Sequence, residues 1–215
     1  MIRVRDIRFA TSLLVLSLAG AAALIGLTAA RFGIAQVRAD GDNAASHLKN
    51  FVGQAPISGA ALRDLLAFAA PDDSARRAED IAALLADEPL SGAAWLDLAA
   101  ARQASRRAVE QVAAALVLSN LTAPREAHVM AARAAFGLSL WEDLPPNLRR
   151  TLVSDLIGGW GEVDVGARRA LAAGLAIKGD ATREQVRSSL LLAGKPAAGL
   201  IEALGLAPEA EVAPK

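Results

Sequence analysis

The 215-residue chain has no cysteine and no tyrosine, only two histidines, and no excess of either charge, with 23 basic residues against 23 acidic ones. Each scarcity closes off a class of protein. Without cysteine there is no disulfide framework, no thiolate metal site and no haem-attachment motif. His47 stands apart, and His128 follows Glu126 by two residues, a spacing that points the two to different faces of a helix. No structural metal and no cofactor is therefore expected. The charge balance argues against a strongly basic nucleic-acid binder. Period-two runs of β-branched and aromatic residues are missing, so no strand is expected.

What is abundant points to helix. Roughly a quarter of the residues are alanine, and arginine outnumbers lysine nineteen to four. Alanine loses no side-chain entropy in a helix, and leucine and arginine lose little. The neutral total also hides an asymmetry. Residues 1–38 hold Arg3, Arg5, Arg8, Arg31 and Arg38 against Asp6, a net +4, which leaves −4 on residues 39–215. Between the arginine clusters lies Phe9 to Ala30, twenty-two residues without a charge. As a helix it spans about 33 Å, the thickness of a bilayer's hydrocarbon core. Its length favours a permanent anchor over a cleaved signal peptide, although Thr28-Ala29-Ala30 and Val37-Arg38-Ala39 both offer small-x-small cleavage sites.

The positive-inside rule places residues 1–8 in the cytoplasm and the rest beyond the membrane. Lysine-poor, alanine- and arginine-rich usage suits a GC-rich bacterium, so the expected location is a bacterial inner membrane with the C-terminal domain in the periplasm. The expected organisation is a transmembrane helix over 9–30, a juxtamembrane helix extension fading into a linker over 31–57, an all-α domain over 58–205 and a disordered tail over 206–215.

Within the domain the apolar positions recur at helical spacing. Leu62, Leu65, Leu66 and Ala69 form one stripe closed by Pro71, and Ile81, Leu84 and Leu85 form the next behind Asp72, Asp73 and Ser74. Trp95, Leu98 and Ala99 line a helix that Ser91 caps. Val109, Val112, Ala113, Leu116 and Val117 line another, and a short turn around Gln103 to Ser105 makes the two antiparallel. Pro124 is read as opening a helix that carries Val129, Met130, Arg133 and Phe136 and ends at Gly137. Pro146 opens one lined by Leu148, Leu152, Val153, Leu156 and Ile157 that stops at Gly158-Gly159. Three more are expected over Val165 to Ile177, from Thr182 to Gly194, and from Pro196 to Gly205.

Pro89 and Pro124 stand 35 residues apart, and the small and large residues between them resemble a tetratricopeptide repeat, although Arg102 occupies a position where that pattern has an aromatic. Residues 58–160 thus resemble a tetratricopeptide-like solenoid of antiparallel helix pairs, with an irregular helical bundle as the alternative. The stretches PLSGAAWLDLA, LSNLTAPREAHVMAARAAFGLSLWEDLPPNLRR and DLIGGW are similar to a group of single-span helical proteins of the proteobacterial envelope. That resemblance implies a setting in surface-polysaccharide export or assembly and brings no catalytic residues.

Catalytic motifs are fragmentary. Ser46-His47-Leu48-Lys49 spells S-x-x-K, but Ser154-Asp155 is followed by Leu156 and no K-T-G occurs. Gly194-Lys195 runs into Pro196, so it is no phosphate loop. Arginine pairs recur at 76–77, 106–107, 149–150 and 168–169. Most suit solvated faces, and Arg106, Arg107, Arg149 and Arg150 are the candidates for gripping an acidic partner, because guanidinium forks match carboxylates. Trp141, beside Glu142-Asp143 and ahead of Pro145-Pro146, is read first as a core residue, with an aromatic anchor for a partner as its alternative.

The expected function is a non-catalytic scaffold or adaptor anchored in the membrane. Its expected partners are the bilayer, a protein of the inner membrane or periplasm and an anionic polysaccharide, without nucleic acid. An accessory subunit bound through the transmembrane helix is the alternative, and a hydrolase using Ser46 and Lys49 is a third reading.

Overall fold

Helix propensity carries through almost everywhere. The computed structural model describes residues 4–37, 48–54, 57–68, 74–194 and 198–207, and among them it has ten α-helices, one 3-10 turn and no strand. The Ser46 and His47 half of the S-x-x-K motif, the capping residues Asp72 and Asp73, Pro71, Lys195, Pro196 and residues 208–215 lie outside the described residues. The chain divides into two compact units, Met1–Pro89 and Leu90–Lys215.

In the first unit, α1 runs over Val4–Val37. Its window Ser17–Ile34 has a mean hydropathy of 1.5 and is only 6% buried, so α1 is long and apolar enough to cross a membrane, a test that a signal sequence also passes. Leu18, Leu24 and Leu27 are exposed, and the Thr28 hydroxyl donates to the Leu24 carbonyl at 2.8 Å, which satisfies the hydroxyl within the helix. The foot of α1 is packed. Phe32 meets Phe51 edge to face at 5.4 Å, and both join Leu48, Ile57 and Ala61 in a small core. Residues 48–54 therefore do more than link, although their isolated apolar residues show no period. Their partners come from the end of α1 and from the start of α2 (Ser58–Phe68). Helix α3 (Ser74–Asp87) buries Ile81, Leu84 and Leu85, as its spacing predicts, and Arg63 on α2 pairs with Glu88 just past α3.

The second unit is a series of helix pairs. Helices α4 (Gly92–Ala104) and α5 (Val109–Thr122) are antiparallel: Arg102 near the end of α4 donates to the Gln111 carbonyl at 2.9 Å, and Ser119 near the end of α5 donates to the Gly92 carbonyl at 2.8 Å. Ser91 caps α4, accepting from the Ala94 amide at 3.3 Å. The buried stripe of α5 is Val112, Ala115, Leu116 and Ser119, rotated from the expected one, and Val117 is 40% exposed. Helices α6 (Ala127–Ser139) and α7 (Pro146–Gly159) form the next pair, followed by a 3-10 turn (Trp160–Glu162), α8 (Val165–Ala176), α9 (Asp180–Leu192) and α10 (Ala198–Ala203).

One polar network binds the first four of these helices. The Arg133 side chain on α6 is fully buried and meets both carboxylate oxygens of Asp155 on α7, at 2.7 and 2.8 Å. It also donates to the Ser119 hydroxyl at 3.1 Å and to the Ala123 carbonyl at 3.4 Å, at the end of α5. The Ser119 hydroxyl in turn donates to the Gly92 carbonyl on α4. The guanidinium thus finds an acceptor for four of its five N–H groups, and a fork facing a carboxylate is the geometry in which burying such a charge is tolerable.

Two terminators act differently from expectation. Pro124 does not open α6; it follows the last bond of α5, from the Ala123 amide to the Ser119 carbonyl, and Ala123 is held at φ −131° as the residue before a proline prefers. Gly137 does not end α6. It lies inside the helix, where an added Cβ would sit 2.3 Å from a Leu152 methyl, so glycine serves the approach of α7. Gly205 ends its helix as read: at φ +65° it forms a Schellman motif, with Leu206 donating to Ile201 and Gly205 to Glu202. Leu206 is thereby buried with Ile201 and Leu204, so the expected tail begins with a core residue.

Breaking the buried pair from one side, by Arg133→Ala or Asp155→Ala, is expected to cost about 3–5 kcal/mol, while Arg133→Met with Asp155→Leu recovers most of it; a denaturant-unfolding double-mutant cycle measures both. Two glycines give opposite signs. At Gly159 a Cβ would stand 2.4 Å from the Ala131 amide nitrogen, whereas at Gly174 it meets nothing within 4 Å. Gly159→Ala should therefore lose about 1–3 kcal/mol and Gly174→Ala gain up to about 1 kcal/mol, read from thermal unfolding.

Candidate docking groove

Helices α6 and α8 run in the same direction. At their C-terminal ends the Lys178 ammonium donates to the Ser139 carbonyl at 2.9 Å. At the other ends the 3-10 turn packs against α6, and Arg168 on α8 clasps that turn. It donates to the Val163 carbonyl at 2.8 Å and the Trp160 carbonyl at 3.1 Å, with its guanidinium 4.7 Å from the Trp160 ring centre. Asp164 caps α8 by accepting from the Ala167 amide at 2.8 Å. Held at both ends, the two helices leave a groove of about 710 Å³ between them.

The groove exists because the residues that face it are small. Ala131, Ala132 and Ala135 come from α6, and Ala167, Ala170 and Gly174 from α8, while Leu138, Leu171 and Leu175 make the floor. Larger side chains from the neighbouring helices, such as Val153 and Leu156 of α7 and Val186 and Leu190 of α9, fill the core behind it. Charge is confined to the ends. Glu162 and Asp164 stand at the N-terminal end beside His128, and Lys178 stands at the other beside Ile177, which is 86% exposed. The groove is thus apolar along its length and oppositely charged at its two ends.

The sequence-nominated residues lie elsewhere. Trp141 is 1% exposed and donates to the Gln185 side-chain carbonyl at 3.3 Å, so its indole is core and not an exposed anchor. Core packing, the first of its two readings, holds, and the residue that pairs with its N–H lies 44 positions further on. Arg149 is committed within the protein: it donates to the Leu144 carbonyl at 2.8 Å, the Glu142 carbonyl at 2.9 Å and Gln185 at 3.0 Å, and lies 5.8 Å from the Trp141 ring centre. Arg150 is exposed on the same small cleft, where Glu184 also lies. Hydrogen bonds from Arg187 and Ser188 hold the Glu184 carboxyl below its ordinary range, so an anion in that cleft meets a carboxylate as well as Arg150. Arg106 and Arg107 are exposed in the turn between α4 and α5, Arg106 at φ +56°, and among the described residues no hydrogen bond, ion pair or ring contact joins them to Arg149 or Arg150.

Sequence reasoning missed both the groove and the Arg133 network. Small residues at three- and four-residue spacing on one face of each helix were the only signal for the first. An arginine in register with Val129 and Phe136 on an apolar stripe was the signal for the second. Among the described residues no group of three His, Asp or Glu stands together as a metal site would require. Comparison with protein-family models, with curated proteins and with solved structures finds no match.

Arg106→Gly is expected to stabilise the protein by about 0.5–1 kcal/mol, since glycine adopts a positive φ without the steric cost that arginine meets. Arg149→Ala should cost about 1–2 kcal/mol through its lost carbonyl contacts. Chemical denaturation of the two variants side by side checks the contrast.

Proposed function

We propose that this chain is a non-catalytic adaptor, anchored in a bacterial inner membrane by α1 with its helical domain in the periplasm, and that it docks a partner protein in the groove between α6 and α8. The observation that carries the reading is that groove: an apolar trough between helices pinned at both ends, with no side chain of its own to fill it. The exposed apolar window of α1 supports the anchor, and the arginines before it support the orientation. The resemblance to envelope proteins supports a partner in surface-polysaccharide export or assembly.

A tetratricopeptide-like arrangement supports a docking role, because stacked helix pairs present one helix of each pair to a shared surface. Helices α4, α6 and α8 begin at residues 92, 127 and 165, and α5, α7 and α9 at 109, 146 and 180, so the pairs recur every 34 to 38 residues. Contacts between α4 and α6, between α6 and α8, and between α7 and α9 follow the same order. A second reading, an accessory subunit held through α1 itself, draws support from Gly20 and Gly26, where nothing lies within 4 Å of an added Cβ.

A photo-crosslinking residue at Ala132, in the groove, should yield a discrete adduct in membranes, and the same residue at the exposed Ala114 of α5 should not. Equal labelling from both positions, or none from either, contradicts docking in the groove. Exchange of α1 for an unrelated anchor should leave the Ala132 adduct in place, and its loss would favour the accessory-subunit reading.

A further inference from the structure

The polarity of the groove specifies what lies in it. We infer that its occupant is an amphipathic helix of the partner protein that runs antiparallel to α6 and α8, with its acidic N-terminal turn at Lys178 and its basic C-terminal turn at Glu162 and Asp164. This rests on the docking reading above and adds the chemistry and direction of the partner.

Three features argue for it. The trough is walled by alanines and glycine, which let another helix approach closely and receive larger side chains such as leucine or phenylalanine as knobs. It is open along one side, so it covers one stripe of a helix and leaves the opposite polar face in water, whereas an acyl chain needs apolar walls all round. Its length matches that of α8, twelve residues or about 18 Å, which is three helical turns.

Direction follows from charge. A stable helix carries acids in its first turn and bases in its last, because each complements the macrodipole. Laid antiparallel, such a helix brings its acids to Lys178 and its bases to Glu162 and Asp164. Its dipole then opposes those of α6 and α8. Laid parallel, it sets acid against acid at one end and base against base at the other.

The full chain in lipid nanodiscs provides the test, with two fluorescein-labelled helical peptides as probes. Both carry leucines at i, i+3, i+4 and i+7 and have one composition; one has glutamates in the first turn and lysines in the last, and the other has them exchanged. Fluorescence anisotropy is expected to show the first binding about fivefold or more tighter than the second. Gly174→Leu, which places a side chain where a Cβ meets no neighbour, should weaken the first by about tenfold or more with the helical circular-dichroism signal and melting retained. Lys178→Gln keeps a donor for the Ser139 carbonyl, and combined with Glu162→Gln it should narrow the difference between the two peptides, with Asp164 the acid left at its end of the groove.

Equal affinities in the native chain overturn the direction. Failure of both peptides to bind overturns the helical occupant, and so does a dansyl fatty acid that fills the groove in their place. If the Ala132 crosslink to a partner persists in either case, the docking reading stands without this inference; if it is absent too, both fall.

Discussion

The arrangement of α4 to α7 depends on one buried charge. Arg133 sits where water cannot reach it, and a guanidinium there is tolerable only when its N–H groups find acceptors. Asp155 supplies two, Ser119 and Ala123 one each, and Ser119 hands the chain on to Gly92. Each acceptor comes from a helix or helix end that must arrive at a set depth and rotation. Apolar contacts between such helices would tolerate sliding by part of a turn, since leucine and alanine pack in several registers. A fork against a carboxylate does not, so the network selects one register among the apolar alternatives.

That register in turn decides where the small residues go. With α7 brought close by Gly137 and Gly159, the large side chains of α6 and α7 turn toward the core they share with α9 and α10. The alanines of α6 are left facing those of α8, and the end contacts by Lys178 and Arg168 keep the gap from closing. The groove is thus a product of packing on its far side. In the first unit a similar economy holds the foot of α1, where Phe32 and Phe51 turn the end of a helix able to cross a membrane into part of a packed core.

Helix number and position were largely legible in the sequence, because apolar period and terminators act locally. Ile81, Leu84 and Leu85, the Ser91 cap, Pro146 at the start of α7 and Gly205 at the end of α10 each do what their spacing implies. What was not legible depends on contacts between distant residues. Gly137 looks like a terminator until Leu152, fifteen positions on, explains it; Trp141, open to either core packing or an anchor, is decided by Gln185, forty-four positions on. Arg133 stands in an apolar stripe whose spacing says nothing of Asp155 or Ser119, and both it and Ser119 are fully buried. The groove escaped for the opposite reason, since alanine is equally at home in a core and on a surface, and only the placing of α6 beside α8 makes its absence of bulk matter.

These relations amount to a preformed, polar-ended trough held open by a register that one arginine imposes. The absence of cysteine allows that to be measured cleanly, because spin labels attach only where cysteine is introduced. Ala132→Cys on α6 and Ala173→Cys on α8 are exposed positions on the two helices that border the groove. Double electron–electron resonance between them should give one narrow distance distribution in the free chain, which Asp155→Ala broadens or shifts. A broad distribution in the native chain, or a narrow one that Asp155→Ala leaves unchanged, would contradict the claim that the buried Arg133 network holds the groove open.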